Sequence, residues 1–135
     1  MKRKLISSGS KMEQLASYSR ALRVGDRIFL SGTTGYDYAT MSIHPDAAEQ
    51  CQQLFRNAEE ALAAAGTSLK EVVMTRIYCP TAEDFDKITP ILGEKFRGIM
   101  PASVGIVADL VRPEIRVEIE MEAIAGSAEV EADNR

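Results

Sequence analysis

From Ile115 to Ala125 the chain alternates without a break, with Val117, Ile119, Met121 and Ala123 on one side and Arg116, Glu118, Glu120 and Glu122 on the other. Side chains of an extended strand point to opposite faces at each step, so this period of two specifies a strand with one face in a core and the other carrying charge. A second segment follows a different period. Cys51, Leu54, Phe55, Ala58, Leu62 and Ala65 recur at steps of three and four, the stripe of an amphipathic helix, with Asp46 after Pro45 as its start and Gly66 as its stop. A sheet covered on one face by helix is the simplest solution that satisfies both.

The remaining segments fit that plan. Lys4 to Ser7 predicts a short first strand. Ala21–Val24 and Arg27–Ser31 flank Gly25-Asp26, the dipeptide of a tight hairpin, and the second of these strands runs into a small-residue loop, Gly32–Gly35. Val72–Cys79 reads as a strand ended by Pro80. Thr81 and Asp84 have capping-box spacing ahead of one apolar turn, Phe85 and Ile88. Thr89-Pro90 then reads as a fresh N-cap with proline at the first helical position, opening a helix to about Arg97 with Ile91, Leu92 and Phe96 inward.

Val104–Ala108 is apolar on both faces. Two helices cover only one face of a sheet, so such a strand implies that the second face is buried too, most simply by another copy of the chain in a closed homo-oligomer. The expected fold is α/β: a single mixed six-stranded sheet with two helices packed on one face. It forms one domain over residues 1–125, followed by a flexible acidic tail over 126–135.

Composition removes several function classes. With 135 residues, 45% of them apolar, the chain can build one real core. Its net charge is −4, and apart from Lys2-Arg3-Lys4 the basic residues are scattered. That is the wrong balance for neutralising phosphates, so no nucleic-acid partner is expected. No run approaches the ~18 apolar residues of a membrane span, and no secretory leader is predicted. Cys51 and Cys79 form no Cys-x-x-Cys pair and read as free thiols in a reducing cytoplasm. The one histidine, His44, lies in a loop before Pro45, so no metal site and no histidine-based nucleophile are expected.

The chemistry-bearing positions are carried by a resemblance. Tyr18-Ser19-Arg20-Ala21, Val24-Gly25-Asp26, Phe29-Leu30-Ser31-Gly32, Glu49-Gln50 with Asn57, Ala65-Gly66, Asp84-Phe85, Pro101-Ala102 and Val117-Glu118-Ile119-Glu120 follow one another from Tyr18 to Ala125. In order and spacing they resemble the RidA/YjgF family of reactive-intermediate (enamine/imine) deaminases. The resemblance implies a chorismate-mutase-like homotrimer with three intersubunit clefts and no cofactor. In catalytic members of that family an arginine grips the substrate carboxylate, while a glutamate and polar groups position water against a C=N bond. Carried over by motif, Tyr18 falls on the cleft tyrosine, Ser31 (followed by Gly32) on the cleft serine, and Glu120 on the glutamate.

Three positions depart from the implied pattern. Ser103 stands where catalytic members carry arginine, Gly105 where many carry cysteine, and Thr89 where the founding members carry asparagine. A serine can hydrogen-bond a ligand but lacks the permanent charge and rigid donor fork that match a carboxylate. Arg20, Arg76 and Arg112 are the cations that can restore one. The expected site is therefore Glu120 as catalytic residue, with Tyr18, Ser31, Gly32 and Ser103 binding a small carbonyl, imine or carboxylate ligand. The expected activity is cofactor-free hydrolysis of reactive imines, enamines or related metabolites, with standard 2-imino acid deamination weakened. The alternative is a non-catalytic trimer on the same fold that holds a small molecule or a protein partner.

Overall fold

A computed structural model describes residues 1–133 and 135. In chain order the elements are β1 (Arg3–Ile6), α1 (Lys11–Ala16), β2 (Ala21–Val24), β3 (Arg27–Thr33), β4 (Tyr36–Asp37), β5 (Ser42–Ile43), α2 (Ala47–Ala64), a 3-10 turn (Leu69–Glu71), β6 (Val72–Cys79), α3 (Ala82–Lys95), β7 (Ala102–Val107) and β8 (Glu118–Ile124). Six strands form one sheet in the order β1-β2-β3-β8-β6-β7, and β4 pairs with β5 in a small separate ribbon. Only β6 and β7 run parallel, and α3 is the crossover that such a pair requires.

The two periodic segments behave as their patterns demand. Val117, Ile119, Met121 and Ala123 are buried against the helices, while Glu118, Glu120 and Glu122 line the opposite face. The side chain of Asp46 caps α2, accepting from the backbone N–H groups of Ala48 (3.1 Å) and Glu49 (3.2 Å). Cys51, Leu54, Phe55, Ala58 and Leu62 are fully buried, and Gly66 ends the helix at φ +82°. The core lies between this stripe, the inner side of α3 and the helix-side face of the sheet, with the rings of Phe55 and Phe96 edge-to-face at 5.5 Å.

Four local expectations are corrected. The segment around Thr89-Pro90 does not start a new helix, because α3 runs unbroken from Ala82 to Lys95 with Pro90 inside it. Proline removes one backbone bond there at a cost of about 3 kcal/mol. Thr89 turns its hydroxyl back to the carbonyl of Phe85 (2.9 Å), and core contacts of Phe85 and Ile88 before the proline and Leu92 and Phe96 after it hold one axis. Helix α1 was not expected. It is capped by Ser10, whose side chain accepts from the N–H of Glu13 at 3.3 Å, while the Glu13 carboxylate accepts from the Ser10 hydroxyl at 2.8 Å. The β4–β5 ribbon was not expected either, and β3 continues two residues past Ser31.

On β7 the alternation sends Ser103, Gly105 and Val107 to the helix side, in register with Thr75, Ile77 and Cys79. Val104 and Ile106 lie on the open face, 40% and 38% exposed. Gly105 has a packing reason: a Cβ there would come within 2.6 Å of the Phe85 ring of α3. The open face as a whole carries Leu5, Phe29, Val104, Ile106 and Ile124 around a charged centre of Arg76, Glu120 and Glu122. Among residues 126–133 there is no helix or strand.

Candidate functional site

The site is organised by a bulge. Leu30 pairs with Met121 and Thr33 with Ile119, so two residues of β3, Ser31 and Gly32, stand opposite the single Glu120 of β8. An extra residue in one strand bends it and re-aims its side chains, and bulges recur beside functional sites. Here the bulge is held from the segment before β2. The Ser31 N–H donates to the Arg20 carbonyl (3.0 Å) and the Ser31 hydroxyl donates to the Ser19 carbonyl (2.6 Å). With its proton committed, the Ser31 oxygen is left as an acceptor.

Two hollows meet at Glu120 on the open face. One, of about 500 Å³, is lined by Tyr18, Leu22, Phe29, Ser31 and Glu120. The other, of about 330 Å³, is lined by Gly32, Tyr78, Glu118, Glu120 and the Asp109–Val111 segment. Glu120 accepts a short hydrogen bond from the Tyr78 hydroxyl and lies 3.9 Å from Nη1 of Arg76, which is itself 3.0 Å from Glu122. Donating to that carboxylate, together with partial burial, raises the pKa of the Tyr78 phenol.

Glu118 is the perturbed acid. Its carboxyl occupies the space a Cβ on residue 32 would need, so the glycine at 32 lets Glu118 lie across the strand. Burial raises the Glu118 pKa; the cation of Arg20 opposes the shift and the charge of Glu120 adds to it. Two hollows that meet at Glu120, one with Ser31 and Tyr18 and the other with Tyr78 and Glu118, can bind a small polar molecule and move protons to and from it.

The fold has known counterparts. Residues 8–125 match the family model described as Endoribonuclease L-PSP. The chain belongs to that family, the RidA/YjgF family. A RutC family protein from Pyrococcus abyssi is 33% identical over 126 residues, covering 93% of this chain and 98% of that protein. The rat 2-iminobutanoate/2-iminopropanoate deaminase is 31% identical over 125 residues, covering 92% and 91%. A crystal structure of a YjgF/YER057c/UK114 family member from Mycobacterium tuberculosis is 34% identical, covers 92% of this chain and all of its own, and superposes with a TM-score of 0.84.

In this RidA/YjgF chain, Tyr18, Ser31 and Glu120 share one hollow and Gly32 lines the next. Ser103 is not with them. It lies on the other face of the sheet, where its hydroxyl accepts from Thr75 at 2.9 Å. The three candidate cations separate in the same way. Arg76 is engaged by Glu120 and Glu122, Arg112 is exposed in a recess with Pro113 and Arg116, and Arg20 is buried behind the bulge.

The other reactive side chains are accounted for structurally. Nδ1 of His44 accepts the Asp46 N–H at 3.0 Å and so shapes the entry to α2. Burial pushes both thiols up to about 12, which leaves Cys51 and Cys79 unreactive. Among the described residues no group of three His, Cys, Asp or Glu side chains is placed to hold a metal ion, and no helix is long and apolar enough to cross a membrane.

Sequence reasoning missed Glu118 and Tyr78. Period-two alternation puts Glu118 on the same face as Glu120 and cannot rank them. The distinguishing signal is the glycine at position 32, which only the pairing of β3 with β8 brings beneath Glu118.

Proposed function

We propose that this RidA/YjgF protein is a cofactor-free hydrolase of small reactive imines or enamines, working at the Tyr18–Ser31–Glu120 hollow in a cytoplasmic homotrimer. The observation that carries the reading is the convergence of Tyr18, Ser31, Glu118 and Glu120 around one bulge. Exposed Leu5, Phe29, Val104, Ile106 and Ile124 on the same face support closure by further copies of the chain, which would wall the hollow.

The proposed chemistry uses both carboxyls. Glu118, whose burial favours the protonated form, donates its proton to the imine nitrogen. Glu120, held by Tyr78, accepts a proton from the water that adds to the carbon. The C=N double bond becomes a C–N single bond in a carbinolamine. Glu120 then returns its proton to the nitrogen, Glu118 takes the hydroxyl proton as the C=O bond forms and the C–N bond breaks, and both carboxyls are back in their starting states. One water enters, and ammonia and a carbonyl compound leave. Tyr18 and the Ser31 oxygen orient the substrate. With serine in place of arginine at position 103 and Arg76 engaged by Glu120 and Glu122, substrates without a carboxylate are favoured over 2-imino acids.

Oxidase-generated imines, with and without a carboxylate, test this by the rate of carbonyl formation. The expected result is acceleration over buffer for neutral imines, abolished by Glu120→Gln, with little effect on 2-iminobutanoate. No acceleration on any imine, with a small carbonyl ligand still bound, would replace this reading with the second one. That reading is a non-catalytic binding trimer, and the position of Ser103 is the observation that favours it. Light scattering reports the assembly: a monomer mass across a wide concentration range would overturn the trimer.

A further inference from the structure

One buried cation behind the site has no role in the chemistry above. Arg20 is only 6% exposed. Its Nη2 donates to the Gly32 carbonyl at 2.6 Å, its Nη1 reaches the Tyr38 hydroxyl at 3.4 Å, and its guanidinium carbon lies 5.8 Å from the centre of the Tyr18 ring. Its backbone carbonyl holds the Ser31 N–H. Its Nε–H is the one buried side-chain polar atom among the described residues without a hydrogen-bond partner. Among those residues no carboxylate stands within 4.0 Å of it, although its charge opposes the upward shift of Glu118.

Burying a guanidinium with so few partners is costly, several kcal/mol per ion before compensation. Tying two chain segments together would not require a charge, since a neutral donor could make the Gly32 bond. The charge has a use only where another charge or a π-face meets it. Tyr18 supplies the ring and Glu118 the carboxyl, and these residues stand on the two hollows that Glu120 joins.

We infer that Arg20 is a positioning residue of the site proposed above, fixing the Tyr18 ring and the Ser31–Gly32 bulge over which the Glu118 carboxyl lies. This rests on the reading of the hollows as the working site. Glu118 lies over Gly32 of β3, pairs across the sheet with Tyr78 of β6, is two residues from Glu120 on its own strand, and shares its hollow with Asp109 from the segment after β7. Arg20 is thus the cation that restrains the proton affinity of a carboxyl otherwise surrounded by acids, a phenol and apolar chain. Lysine could keep the charge but not the planar donor fork that holds Gly32 while lying against Tyr18.

Carboxyl-carbon NMR of glutamate-labelled protein, with Glu118 assigned by loss of its signal in Glu118→Gln, tests the inference without requiring turnover. In Arg20→Met the Glu118 titration midpoint should rise, and the Tyr18 ring resonances should move. Arg20→Lys should raise the midpoint less while still moving the Tyr18 ring. A folded Arg20→Met protein with the Glu118 midpoint and the Tyr18 ring both unchanged would overturn it. Should Arg20→Met not fold, the Arg20 Nε–H resonance decides: a shift between wild type and Glu118→Gln is expected, and an identical resonance in the two would overturn the inference. Failure of the imine assay with these NMR shifts present would reject the hydrolase reading and leave the positioning role standing.

Discussion

Thr75 donates a 2.9 Å hydrogen bond to Ser103 across the parallel pair of β6 and β7, on the helix side of the sheet. The bond ties the serine at the implied arginine position to the helix side of the sheet, away from the hollow around Glu120. Thr75 is itself buried, so the contact is structural as well as a mark of what the site lacks.

Two substitutions separate these roles. Ser103→Ala leaves the Thr75 hydroxyl without its partner and should cost about 1 kcal/mol in urea unfolding. Ser103→Arg should add affinity for small carboxylates on the order of 1–3 kcal/mol, the worth of a charge-assisted hydrogen bond, if a neighbouring copy brings β7 to the hollow. Calorimetric titration of 2-oxobutanoate into wild type and variant checks it. Equal, undetectable binding in both, with the assembly preserved, would show that the hollow takes another ligand class.

Gly32→Ala tests the link between the bulge and Glu118. The new methyl would collide with the Glu118 carboxyl, the far end of a flexible side chain, so the fold should survive with stability within about 1 kcal/mol of wild type. Glu118 should swing toward water, and its titration midpoint should fall toward the ordinary carboxyl value as burial is relieved. An unmoved midpoint would show that the glycine serves the backbone alone.

Gly105→Ala should behave in the opposite way. Its Cβ would meet the ring of Phe85, which is partly buried and packs against the core, so the ring must give up part of that packing to make room. Overpacking of this kind costs about 1–3 kcal/mol. Combining it with Phe85→Leu should recover part of the loss, and strict additivity in the double-mutant cycle would exclude the contact as its cause.

These positions show how far a one-dimensional pattern reaches. The alternation of β8 and the stripe of α2 are legible because each is long and binds one face to one core. A helix as short as α1 has no period to read, and its only trace is the Ser10–Glu13 spacing. Pro90 reads locally as a start because the cost of a proline inside a helix is visible in sequence and the packing of Phe85, Ile88 and Phe96 that offsets it is not. Tyr18, Ser31 and Glu120 were legible through family resemblance, whereas the difference between Glu118 and Glu120 comes from a bulge and a buried arginine contributed by distant segments.

That difference should also appear as a pH dependence of stability, opposite in sign at two glutamates. Glu118 has its folded-state pKa raised, chiefly by burial, so the native state holds its proton more tightly than the unfolded chain. Its contribution is fully present below the ordinary carboxyl range and is lost as pH rises through the raised value. Glu13 is the reverse case. Burial alone would raise it, but the hydroxyls of Ser8, Ser10 and Ser7 and the Ser8 N–H outweigh burial and lower it. Its contribution is present above the ordinary carboxyl range and is lost as pH falls through the lowered value. Urea midpoints of wild type, Glu118→Gln and Glu13→Gln from pH 3 to 7 isolate the two. Relative to Glu118→Gln, wild type should lose stability as pH rises; relative to Glu13→Gln, it should lose stability as pH falls. Parallel curves for wild type and Glu118→Gln would mean that Glu118 titrates as a solvated carboxyl, and the acid role proposed for it would have to be given up.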